Sequence, residues 1–275
     1  MLLRVGSRGS RLALTQAELA SERLRRPGLE IALVPITTAG DRDRTKPFGE
    51  IGSRGVFVKE LEEALLGGRI DVAVHSAKDM TSSDADGLVV GAYLEREDPR
   101  DALCGAAELR PGMRVGTASV RRRAQLLALE PSLSIEPLRG NIDTRLRKRG
   151  ERGLDAVVLA ACGLDRLGLE GEIGRRFSAE EVLPEAGQGA LALQVRTGEE
   201  KVVSAVDHAE TRRRVEAERA VVFAIGGGCL APMAAHHDGS VLTAMVAADD
   251  GSWLELRRGD DPAALAAELG ALAEK

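Results

Sequence analysis

Short apolar strands alternate with amphipathic helices along the first 160 residues, and the alternation runs twice, with a polar break at residues 97–101. No other feature restricts the fold as much. Strands separated by helices pair mostly in parallel, and the helices cover the faces of the sheet. In the first run residues 2–7 read as a strand, and Ser10 caps a helix that repeats Ala13, Ala17, Ala20 and Leu24 on one face. Residues 30–36 form a second strand, Phe57, Leu61 and Leu65 mark a helix, and residues 71–75 and 88–93 give two further strands. The second run has strands at 114–116, 133–136 and 156–159, with helices at 119–129 and 142–149 between them. Residues 191–195 follow Gly187-Gln188-Gly189 and suit a strand crossing back to the first run. The expectation is α/β, with two open α/β domains around a cleft.

From residue 210 the pattern changes to one long charged helix reaching about residue 224, then a glycine run ending at Cys229. Residues 242–246 and 253–256, joined through Asp249-Asp250-Gly251, read as a hairpin, and Asp261-Pro262 starts a last helix bearing Leu265, Leu269 and Leu272. This predicts a small α+β C-terminal domain. The expected boundaries are 1–96 with 190–207 for the first domain, 97–189 for the second and 208–275 for the third.

Composition narrows the function classes. The longest apolar run, around residues 157–162, falls far short of the roughly 18 residues of a membrane helix, and the N-terminus reaches charge and glycine too early for a signal peptide. Cytoplasmic residence is the expectation. Three scattered cysteines do not make a disulfide framework, and no ligand spacing points to a metal. The net charge is −5 and aromatics are 2%, so a nucleic-acid partner is not expected. Yet arginines gather in runs such as 121–123 and 145–149, which suits small anionic ligands.

Two constellations could carry chemistry. His75-Ser76-Ala77-Lys78-Asp79 sits where a parallel strand ends, the usual address of a ligand in an open α/β sheet. Asp79 there suits a general acid or a stabiliser of developing positive charge, and a Lys–Asp surface pair is the plain alternative. Arg8, Arg11, Arg121, Arg122, Arg139, Arg145 and Arg166 stand at separate strand-to-helix junctions. Each guanidinium fork grips a carboxylate, so together they suit a ligand bearing many of them. Ser10, Thr117, Ser119 and Asn141 lie at helix starts, where capping and anion binding are equally good explanations. Cys229 is either a reachable thiol or a small turn residue.

Taken together these segments resemble the porphobilinogen deaminase family nearly end to end. Gly6-Ser7-Arg8-Gly9-Ser10-Arg11, Gly55-Val56-Phe57-Val58-Lys59-Glu60, His75-Ser76-Ala77-Lys78-Asp79 and Glu95-Arg96-Glu97-Asp98-Pro99-Arg100-Asp101 are similar to its first motifs. Gly116-Thr117-Ala118-Ser119-Val120-Arg121-Arg122, Leu138-Arg139-Gly140-Asn141, Thr144-Arg145-Leu146, the segment around Asp165-Arg166, Pro184-Glu185-Ala186-Gly187-Gln188-Gly189 and Gly227-Gly228-Cys229 follow in order. The resemblance implies a periplasmic-binding-protein-like architecture for the two larger domains. It also implies a transferase of porphyrin and heme biosynthesis that condenses four porphobilinogen molecules onto a dipyrromethane primer held by Cys229, then releases hydroxymethylbilane by hydrolysis. Asp79 would be catalytic. Lys78, Asp79, Thr117, Ser119, Arg121, Arg122, Arg139, Asn141 and Arg145 would hold the cofactor, and Arg8, Ser10, Arg139, Arg145, Arg166 and Gln188 the substrate. A loop with Arg54, Phe57 and Lys59 is expected to act as a lid. The partners expected are porphobilinogen and, transiently, the next pathway enzyme; a monomer is expected, with no membrane.

The chain departs from the family pattern with Arg54 for a frequent lysine, Ala118 for a serine, Gly226 for a glutamate and Met80-Thr81 for valine-proline. A non-enzymatic two-domain anion-binding protein is the alternative, and a regulatory domain sensing a carboxylate is a third reading. Neither needs Cys229.

Overall fold

Three sheets are built from the residues that the computed structural model describes, which are 1–37, 58–80, 85–226 and 232–273. They fall into two compact units, Met1–Glu97 with Ala190–Arg213, and Asp98–Gly189 with Arg214–Lys275.

In the first unit β1 (Leu2–Arg8) is followed by α1 (Arg11–Leu24) and β2 (Glu30–Ile36), and α2 (Lys59–Leu66) leads into β3 (Val72–Ser76) and β4 (Leu88–Tyr93). β1 pairs in parallel with β2 and with β3. β10 (Leu191–Arg196) enters antiparallel between β3 and β4, giving the order β2-β1-β3-β10-β4. One face packs Leu3, Val5, Val74 and Leu193 against Ala17, Ala20 and Leu24 of α1, and the other packs Ile36, Ala73 and Leu88 against Leu61 and Leu65 of α2. Both faces of the central strands β3 and β10 are therefore dry, which is why these two read as apolar runs, whereas the edge strand β2 is largely exposed and alternates loosely. Gly6 lets the layers close: a Cβ there would clash with the Ile70 side chain.

The second unit repeats this plan. β5 (Asp101–Cys104) precedes β6 (Arg114–Gly116), α3 (Val120–Leu129), β7 (Ser134–Glu136), α4 (Ile142–Glu151), β8 (Ala156–Ala160), α5 (Ala161–Arg166) and β9 (Ile173–Arg176). β6 is parallel to β7 and β8, and β5 is antiparallel to both β8 and β9, in the order β7-β6-β8-β5-β9. In each sheet the strands thus run second, first, third, an antiparallel insert, fourth. The fold is α/β with two open sheets of one topology. The antiparallel insert β5 and the edge strand β9 were not read from the sequence.

The third sheet is wholly antiparallel: β11 (Met233–His237), β12 (Leu242–Ala247) and β13 (Leu254–Gly259). The expected hairpin is β12–β13, and β11 is an additional strand. α6 (Ala209–Ala224) and α7 (Pro262–Ala273) cover one face through Val221, Val222, Leu265 and Leu269. On the other face Ala234, Met245 and Ala247 pack with Ala124 of α3 and Leu183. Apolar contact on that second face explains why the three strands belong to the second compact unit.

Candidate functional site

In the first unit the candidate residues collect at the carboxyl ends of two adjacent parallel strands. β1 ends at Arg8, and Ser10 caps α1 by accepting the Ala13 N–H at 3.3 Å. The first turn of α1 has no acidic residue, so its positive end is not neutralised locally. β3 ends at Ser76 and a 3-10 turn, Ala77–Asp79, carries Lys78 and Asp79, both half-buried. The turn is tied down at its start, where the Ala77 N–H donates to the Ala190 carbonyl at 3.0 Å. Beneath it His75 Nε2 lies 3.0 Å from Gln194 Oε1, and Gln194 Nε2 donates to Glu62 Oε1 at 3.2 Å. His75 and Gln194 are buried, so this polar chain fixes the end of β3 to β10 and α2 in a place where an unmade hydrogen bond is costly. Lys59 is exposed at the first position of α2, while Arg54 and Phe57 lie outside the described residues.

In the second unit the candidates collect at the carboxyl ends of three neighbouring parallel strands. After β6, Thr117 Oγ1 accepts the Ser119 N–H at 3.2 Å, and Ser119 caps α3 by accepting the Arg122 N–H at 3.4 Å. After β7, Arg145 Nε donates to the Gly140 carbonyl at 2.7 Å, and the Thr144 hydroxyl donates to Asn141 Oδ1 at 2.6 Å. Gly140 has φ +121°, and a Cβ there would stand 2.6 Å from Thr144 Cγ2, so only glycine fits the turn that presents Arg139 and Asn141. After β8, Arg166 at the end of α5 donates to the Gly189 carbonyl at 2.8 Å. Arg139, Arg145 and Arg166 are half-buried and Asn141 is exposed.

Arg121, Arg122 and Gln188 stand apart from these. They are 3%, 5% and 0% exposed and surround Asp101, which is also 0% exposed. Arg122 donates to Asp101 Oδ1 through Nη2 at 2.7 Å and Nε at 3.1 Å, and through Nη1 to the Val158 carbonyl at 3.2 Å. Gln188 Nε2 donates to Asp101 Oδ1 at 2.8 Å and to the Pro99 carbonyl at 2.7 Å. Arg121 donates from Nη1 to the Leu183 carbonyl at 2.6 Å, and its Nη2 lies 2.8 Å from Asp101 Oδ2. Burial alone pushes the Asp101 carboxyl up, but the charges of Arg121 and Arg122, with hydrogen bonds from Arg122 and Gln188, outweigh it and hold the group well below the usual carboxylate range.

Asp101 was not singled out from the sequence. The available signal was an acidic residue opening the apolar run Ala102-Leu103-Cys104, where a charge needs a partner. Glu218 was missed as well. It is fully buried and accepts the Gly187 N–H at 2.8 Å and the His237 N–H at 2.7 Å. Its signal was the stripe Thr211, Val215, Glu218, Val222, all buried at helical spacing in α6. Cys229, between α6 and β11, lies outside the described residues; Cys104 and Cys162 are buried and in no disulfide. Among the described residues no cluster of His, Cys, Asp and Glu could hold a metal, and no helix is long and apolar enough to cross a membrane.

Residues 3–204 match the family described as porphobilinogen deaminase, dipyromethane cofactor binding domain. The porphobilinogen deaminase of Syntrophotalea carbinolica is 48% identical over 244 residues, which is 85% of this chain and 78% of that protein. That of Geobacter metallireducens is 42% identical over 287 residues, 99% of this chain and 90% of that protein. Among solved structures, a periplasmic substrate-binding protein of an ABC transporter from Coxiella burnetii aligns at 17% identity with a TM-score of 0.44, covering 74% of this chain and 91% of that one.

Proposed function

The chain belongs to the porphobilinogen deaminase family, and we propose that it carries out hydroxymethylbilane synthesis with Asp79 as its catalytic acid and base. The observation that carries this assignment is the gathering of candidate groups at carboxyl strand ends in each unit: Arg8, Ser10, Lys78 and Asp79 in one, Thr117, Ser119, Arg139, Arg145 and Arg166 in the other. Porphobilinogen and its oligomers are polycarboxylates, and several dispersed guanidinium groups with capped helix starts suit such ligands.

Asp79 is to deliver a proton to the departing amine as the substrate's carbon–nitrogen bond breaks and ammonia leaves. Its carboxylate then faces the cation left behind. After the new carbon–carbon bond forms, the same carboxylate takes the proton lost from the attacking pyrrole carbon of the growing chain, which restores it for the next of four additions. Lys78 beside it tempers the negative charge of the turn and is available for a carboxylate of the ligand. Arg8, Ser10, Arg139, Arg145, Arg166 and Gln188 are assigned to the substrate.

The donor set also fits a dipyrromethane, whose acetate and propionate groups need many donors. The buried Arg121 fits this role, because its Nε and Nη2 have no hydrogen-bond partner among the described residues. Lys78, Asp79, Thr117, Ser119, Arg121, Arg139, Asn141 and Arg145 would hold the group, with Arg122 committed to Asp101 and Val158 behind them, and Cys229 would carry it as a thioether. When bound, it supplies a tethered pyrrole end to which substrate is added. The burial of Cys104 and Cys162 supports Cys229 as the point of attachment.

Two buried cysteines outside any disulfide also suit a reducing compartment, so cytoplasmic residence is part of this proposal, as is transient delivery of the product to the enzyme that consumes it. The test is porphobilinogen consumption by Asp79→Asn, which should retain the native circular dichroism spectrum and lose activity by at least about 100-fold. Substantial turnover by the folded variant would move the proton-transfer role to another group.

A further inference from the structure

Asp101 opens the inserted strand β5 with no exposure to solvent, at a place where a lone carboxylate is strongly disfavoured. Its two oxygens face different cations. Oδ1 takes the hydrogen bonds of Arg122 and Gln188, and Oδ2 lies 2.8 Å from Arg121 Nη2 without hydrogen-bonding geometry. The two guanidinium groups come from successive residues in the first turn of α3, and without an anion between them their buried charges would repel. Their donors are unequally committed. Arg122 spends Nε, Nη1 and Nη2 on Asp101 and Val158, whereas Arg121 has Nε and Nη2 without a hydrogen-bond partner among the described residues.

We propose that Asp101 is a positioning residue: it holds Arg121 and Arg122 side by side at the start of α3, pinning Arg122 to the protein and leaving Arg121 with donors for a ligand carboxylate. This rests on the proposed function. It separates the two adjacent arginines by task, one as a strut and the other as the binding group, and it assigns the carboxylate of β5 a role in cofactor loading.

The test uses full-length protein made in cells that cannot synthesise porphobilinogen. Wild type, Asp101→Asn and Asp101→Glu are each mixed with porphobilinogen well below their own melting midpoints, and the gain of two linked pyrrole units is followed by intact mass. Wild type should load. Asp101→Asn, folded by circular dichroism, should load about 100-fold more slowly, the cost of a small misplacement of binding groups. Asp101→Glu keeps the charge but moves it by one methylene, and should fall between the two; it carries the test should Asp101→Asn not fold. A merely structural role would lower the melting midpoint and leave the loading rate unchanged. Wild-type loading beside an equally fast, folded variant overturns the positioning role alone. Failure of the wild type to load overturns the proposed function, and this role with it.

Discussion

A carboxylate shut away from water keeps its charge only while cations stay beside it, and Asp101 meets that condition through Arg121 and Arg122. Its folded pKa lies below the unfolded value near 3.9, so the stability it contributes is fully present above about pH 4 and is lost as pH falls toward the folded value. Urea unfolding at a series of pH values should show this loss beginning below pH 4. Asp101→Asn should unfold about 3–5 kcal/mol more easily at pH 7 and lose this part of the acid dependence. An unchanged acid limb in that variant would contradict the assignment. Cys104 differs in kind: burial first, then the nearby charge of Glu172, push its thiol up to about 11, so it stays protonated at pH 8. Iodoacetamide should leave Cys104 and Cys162 unmodified in the native protein at that pH and label both in denaturant. Labelling of either in the native state would mean that the buried packing opens. The sequence exposed the arginines as a class but not their separate duties. Arg121 and Arg122 carry the same side chain, and only the position of Asp101, some twenty residues away in sequence, distinguishes them.

Among the elements, the central parallel strands β3 and β8 were legible because burial on both faces leaves continuous apolar runs, and the helices because apolar residues recur at helical spacing. Ser10 was read as a cap and does cap α1; Ser119, for which capping and anion binding were equally open, caps α3. Ser119→Ala should cost about 1 kcal/mol in unfolding free energy, and thermal melts would check it; an unchanged midpoint would mean that the 3.4 Å contact contributes nothing. Strands β5, β9 and β11 were not legible. β5 is four residues opened by a charge, β9 is half arginine, and β11 ends in two histidines, so none shows the length or alternation by which a strand is recognised. Their partners lie far along the chain: β5 pairs with β8 and β9, which a local pattern does not reveal. The strand-end addresses survived this gap because they depend on the parallel strands alone.

For the whole molecule, the net charge of −5 conceals where the cations stand. In each unit the candidate cationic groups gather at carboxyl strand ends, and family membership rests on matches that cover most of the chain. A group bound by the folded state alone raises its stability by mass action. Loaded protein should therefore melt above unloaded protein by at least about 5 °C, the shift that ~2 kcal/mol produces in a domain of this size; equal midpoints would mean that the binding groups gain nothing from occupancy. The central claim is that this chain builds its product on a primer held by Cys229. The most direct measurement is the intact mass of the purified protein, with peptide mapping across residues 227–231, before and after addition of porphobilinogen. The account predicts an excess of two linked pyrrole units on the peptide containing Cys229. A thiol that remains unmodified after porphobilinogen is added, in correctly folded protein, would contradict it.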